Sequence, residues 1–192
     1  MLQNSLYAVN KYGVYKDDNH PLGQAELQCW DVQAFLLYLL DCGFSVIIGK
    51  PRQIGSTTVI TAAKALGVMI RRNYYCKLVA QKGSKSEEIF KDKVKFIIEN
   101  VPEYLKPTVA NYNELEVMFK YQNGKGSNST SSSRLQVSAP SEDVVNAGTP
   151  ASVLLDEAGL LEILQEIINQ GRPTQFWLNP NTGELEYTQQ IS

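Results

Sequence analysis

The stretch "KPRQIGST", Lys50 to Thr57, places two cations, a glycine and two hydroxyls in one loop, and "SVLLDEA" ends an apolar run on adjacent carboxylates, Asp156 and Glu157. The first group suits a chain of phosphates. Its pattern departs from G-x-x-x-x-G-K-[ST], because Gly55 and Thr57 take the second-glycine and hydroxyl positions while Ser56 stands where lysine is expected and Lys50 takes the first position. The Lys50 ammonium, on its long stem, can fold back over the loop to the β and γ phosphates. Thr57 would ligate Mg²⁺. Arg52 is either a γ-phosphate sensor acting in cis or an ordinary surface arginine. In the second group Asp156 would hold Mg²⁺ through water, and Glu157 would polarise an attacking water. The plain alternatives are a glycine turn between a strand and a helix, and two solvated acids at the start of a loop.

Placing these groups requires strands that deliver a loop to the head of a helix. "FSVIIG" is a short β-branched run ending on glycine and predicts a buried strand, and "STTVITAAKALGVMIRR" predicts a helix with basic residues in its last turn. Before them, "WDVQAFLLYLLDC" has helical apolar spacing, with Asp31 near the capping position. "CKLVAQ" predicts the next strand. "SKSEEIFKDKVKFIIENV" predicts a helix whose Phe90, Val94, Ile97 and Ile98 share a face. "LEVMFKY" and "RLQVSA" alternate as two strands joined by a mobile loop, "QNGKGSNSTSSS", whose Lys125 reads as a solvated charge. "SVLLDEA" predicts a last buried strand, and "LLEILQEIINQG" a helix stopped at Gly171. Residues 1–25 predict a loop-rich segment and residues 26–192 one α/β domain. The alternation predicts a mostly parallel central sheet with helices on both faces and one embedded hairpin, and the glycine loop together with the two acids favours an ATPase, for which the expected fold is a P-loop NTPase, ASCE or RecA-like.

The chain has 192 residues, 43% hydrophobic and 20% charged, with a formal charge of -2, which is a globular profile. No run of about 18 apolar residues is present, and the start "MLQNSLYAVNKYG" lacks the plan of a signal peptide, so a cytoplasmic location is expected. Cys29, Cys42 and Cys76 are far apart, and His20 is the only histidine, which supports neither a disulfide framework nor a zinc site. The slight acidity argues against passive wrapping by nucleic acid.

From Glu26 to Gly171 the sequence resembles the ATPase domain of the large terminase subunit of tailed phages, more particularly the T-even type. "PRQIGSTT" resembles that family's arginine-glutamine phosphate loop, and Lys50 matches members whose lysine has moved to the loop start. "LVAQKGSKSEEIFKDKVKFIIENVPEYLKP" is similar to the strand and helix that follow, and "SEDVVNAGTPASVLLDEA" resembles the segment entering the acidic motif. The resemblance implies that Gln33, in "WDVQAFLL", reads adenine. It implies that Lys50, Pro51, Arg52, Gln53, Ile54, Gly55, Ser56, Thr57 and Thr58 hold ATP, that Thr57 and Asp156 serve Mg²⁺, and that Glu157, with Arg52, is catalytic.

It further implies that hydrolysis is coupled to translocation of double-stranded DNA into a procapsid. The working form would be a ring homo-oligomer on the portal protein, with the small terminase subunit, in the host-cell cytoplasm and away from membranes; the isolated chain would be monomeric and slow. Ala147 precedes Gly148 where many relatives place arginine, and "NPNTG" loosely resembles the coupling turn. The family's nuclease domain has no counterpart, so DNA cleavage is not expected. Two other functions fit the residues: a nucleotide-binding module that has lost hydrolysis, as Ser56 suggests, and another P-loop DNA motor such as a helicase fragment.

Overall fold

The helix α3 (Ser56–Ile70) is apolar or small on almost every side, with Val59, Ala62, Ala65, Leu66 and Val68 all buried, and such a helix must be wrapped by other elements. The computed structural model describes residues 4–48, 55–122, 130–141, 150–156, 176–178 and 185–187. In it α3 lies between the helices α1 (Ser5–Tyr12) and α2 (Asp31–Asp41) and the strands β3 (Tyr75–Val79) and β6 (Thr130–Ser138). The segment after β3 runs as α4 (Gly83–Ile89), a π-helical stretch (Phe90–Lys95) and α5 (Phe96–Asn100). Phe90, Val94, Ile97 and Ile98 are buried in the same core, as their spacing predicts.

The main sheet has the order β4-β5-β6-β3-β7, with β4 (Thr108–Tyr112), β5 (Glu116–Gln122) and β7 (Ser152–Leu155). β3 runs parallel to both β6 and β7, whereas β5 runs antiparallel to β6 and to β4. The longest register, from Glu116↔Gln136 to Gln122↔Thr130, is antiparallel. This overturns the expected P-loop NTPase architecture with a mostly parallel sheet: the sheet is mixed. Among the described residues, the helices packed on the sheet share one core with Cys76, Leu78, Val117, Phe119, Leu135 and Val137, which face one side of it. Tyr75, Lys77, Arg134 and Gln136 alternate to the other side. Burial and the neighbouring Arg134 guanidinium lower the Lys77 ammonium pKa.

Three local differences have physical causes. "FSVIIG" forms no strand over its described residues, 44–48, because its start is used to stop α2. Gly43, at φ +84, lets Phe44 N–H donate to Leu39 O and Gly43 N–H to Leu40 O, a Schellman motif that leaves Phe44 and Ile47 exposed. Residues 1–25 are not all loop. Asn4 caps α1 by accepting from Tyr7 N–H, Ala8 and Val9 enter the core, and β1 (Val14–Lys16) pairs antiparallel with β2 (Gln24–Glu26). The serine-rich loop gives up its last residues to β6, where the Ser133 hydroxyl donates to Arg71 O (2.6 Å) and accepts from Tyr74 N–H (3.1 Å). Serine there serves the strand because both its hydrogen-bonding roles are filled.

A separate antiparallel pair, β8 (Phe176–Leu178) and β9 (Leu185–Tyr187), completes the described strands. Among the described residues no helix is long and apolar enough to cross a membrane.

Candidate functional site

The carboxyl ends of β6, β3 and β7 lie side by side. Ala80 N–H donates to Ser138 O and Asp156 N–H to Val79 O (2.9 Å), which fixes the Asp156 backbone against the end of the central strand. Ligands of open α/β sheets gather at such parallel carboxyl ends. The head of α3 arrives at the same edge. Thr57, in its first turn, donates its hydroxyl to Asp156 Oδ1 at 2.8 Å, joining two residues 99 positions apart. A hydroxyl oxygen and a carboxylate side by side are hard oxygen donors of the kind Mg²⁺ takes while keeping several of its waters. The two residues present therefore fit that ion.

Gly55 precedes the helix in the left-handed conformation, φ +68, and caps it with no side chain. Ser56 is buried, 3% exposed, and Thr58 is half-buried one position past Thr57. The Gln33 side chain reaches this turn: a Cβ added to Gly55 would lie 3.1 Å from Gln33 Nε2. Its other atom, Oε1, accepts from Trp30 N–H at 3.1 Å, at the start of α2.

The geometry thus brings together Gln33, Gly55, Ser56, Thr57, Thr58 and Asp156 from the expected set. Lys50, Pro51, Arg52, Gln53, Ile54 and Glu157 lie outside the described residues, as does the helix expected at "LLEILQEIINQG". At the same strand edge, the buried Ser138 hydroxyl has no hydrogen-bond partner among the described residues. Sequence reasoning passed over it because a serine closing an alternating strand gives no signal of its own. The hydrogen bonds that hold α2 in place also went unread. Asp41 accepts from Ser5 N–H (2.7 Å), Ser5 Oγ (2.6 Å) and Arg71 Nη2 (3.1 Å), tying α1, α2 and the end of α3 together. Burial pushes the Cys76 thiol up, which keeps it protonated inside the core and unsuited to nucleophilic work. No protein-family model matches the chain.

Proposed function

We propose that this chain binds and hydrolyses a nucleoside triphosphate with Mg²⁺, ATP by the resemblance of its loop, as the ATPase of a DNA-packaging motor. The observation that carries this reading is the Thr57–Asp156 hydrogen bond at the head of α3 and the carboxyl end of β7. It joins the hydroxyl and the acid that a phosphate-bound Mg²⁺ needs. Thr57 and Asp156 would hold the ion, which when bound would neutralise charge on the β and γ phosphate oxygens. The first amides of α3 point along a dipole that favours an anion at its head. Lys50 would supply the missing cation, Arg52 a second one, and Glu157 would orient water. In the working motor the chain would act as a ring on the portal with double-stranded DNA and the small terminase subunit, a context that rests on the resemblance alone.

A second reading, binding without hydrolysis, draws on Ser56. That residue is buried where a phosphate-contacting lysine is expected, so no ammonium can act from there. The deciding experiment is Mg²⁺-ATP affinity and steady-state phosphate release by the wild-type chain, Lys50→Ala, Thr57→Ala, Asp156→Asn and Glu157→Gln. An ATPase loses turnover in all four variants and keeps ATP affinity in Glu157→Gln. Binding with no turnover in the wild type supports the second reading, and no binding ends both.

A further inference from the structure

We infer that Gln33 is a positioning residue for the phosphate-binding turn and that its contribution to affinity is blind to the nucleobase; this rests on the nucleotide-site reading above. A glutamine that reads adenine presents one acceptor and one donor in the same plane to the base. In this structure one acceptor site of the Gln33 carboxamide is taken by protein and its nitrogen packs against protein. Oε1 accepts from Trp30 N–H and closes the first turn of α2, while Nε2 stands against Gly55, 3.1 Å from where a Cβ would be. The amide therefore bridges the head of α2 and the head of α3.

The bridge matters because of what Gly55 does. It holds φ +68 with no side chain of its own to cap α3, and the next two residues are the buried Ser56 and the Asp156-bonded Thr57. The direction in which the first amides of α3 and the Thr57 hydroxyl point depends on that one turn. Gln33 packs on it from the side where a Cβ would meet the amide nitrogen. α2 is in turn anchored by Asp41 to Ser5 and Arg71, so the amide leans on a fixed helix. Gln33 so placed acts on the phosphate end of any nucleoside triphosphate, and on inorganic triphosphate as well.

The test compares affinities of wild type, Gln33→Ala and Gln33→Glu for Mg²⁺ complexes of ATP, GTP and inorganic triphosphate, with urea midpoints measured alongside. Gln33→Glu keeps the oxygen that accepts Trp30 N–H and removes the Nε2 group, so it separates capping of α2 from contact with Gly55. The expected result is a loss on the order of tenfold for all three ligands in both variants, equal among ligands within about twofold, with the urea midpoint of Gln33→Glu near that of wild type. A loss confined to ATP would overturn the inference and return Gln33 to base recognition. Unchanged affinity for inorganic triphosphate in Gln33→Glu would overturn it too. Failure of the wild-type chain to bind any of the three would instead strike the nucleotide-site reading.

Discussion

The Thr57–Asp156 contact predicts a measurable thermodynamic coupling between two residues 99 positions apart. The perturbation is a double-mutant cycle of Thr57→Ala and Asp156→Ala, read by urea unfolding at neutral pH. A hydroxyl donating to an ionised carboxylate contributes about 1.5–3 kcal/mol. Both residues are half-buried, with water competing for the carboxylate, so the lower end applies and a coupling of about 1.5 kcal/mol is expected. Each single variant should lose about that amount, and the double variant little more. The same samples measured with excess Mg²⁺-ATP carry the functional half of the argument. A ligand at 100 times its Kd raises stability by about 2.7 kcal/mol, an increment wild type should show and each single variant should largely lose. Coupling below about 0.3 kcal/mol would mean that the two side chains act independently, and the reasoning from their contact would fail. Coupling without any ligand increment in the wild type would leave a structural latch and remove the proposed site.

Gly55→Ala places an L side chain at φ +68 with its Cβ 3.1 Å from Gln33 Nε2, and should lower stability by about 1–2 kcal/mol in urea unfolding, with Gly55→Asn costing less. Phe119→Ala empties a fully buried site in the core and should cost about 3–5 kcal/mol, measured the same way. Tyr121 donates its phenol to Val68 O, and burial pushes its pKa up to about 12. The bond needs the proton, so its stabilisation is complete below the unfolded value of about 10 and is lost as pH rises through 12. Tyr121→Phe should cost about 1 kcal/mol at neutral pH and flatten the alkaline loss of stability between those values; equal slopes in the two proteins would refute the assignment.

What could be read from the sequence follows from how local each signal is. The period of Phe90, Val94, Ile97 and Ile98 marks a buried helical face that the fold keeps, and the α3 segment is apolar enough that no other environment suits it. "FSVIIG" misleads because a short apolar run carries no record of which backbone groups are already spent, and Gly43 and Phe44 are spent on ending α2. "NSLYAVNKY" hides α1 among polar residues, although Asn4 before Leu6 and Val9 is a cap before a short apolar face. Edge strands were the least legible property. "LEVMFKY" and "RLQVSA" read as a hairpin from the Gly- and Asn-rich loop between them, and β5 and β6 pair antiparallel as that reading requires, whereas "TVANY", exposed throughout as β4, carries no buried alternation to mark it. The Thr57–Asp156 pairing was legible because a hydroxyl after a glycine turn and an acid after an apolar strand are each tied to an element's end.

The loss of the expected architecture does not carry the candidate site with it, because the site uses only part of the sheet. Its requirements are two parallel strands ending together and one helix head brought to their carboxyl edge. β3 and β7 meet the first, with Asp156 N–H bonded to Val79 O, and α3 meets the second through Thr57. The antiparallel strands β4 and β5 lie on the far side of β6, and β5 extends the core through Val117 and Phe119. β5 supports α3 near its C-terminal end, where Tyr121 donates to Val68 O, whereas it is the first turn of α3 that meets Asp156. Function is a property of such an edge and not of the sheet's overall class. Substitutions on β5 should therefore change stability and leave nucleotide affinity alone in whatever fraction stays folded, whereas Thr57 and Asp156 should change both.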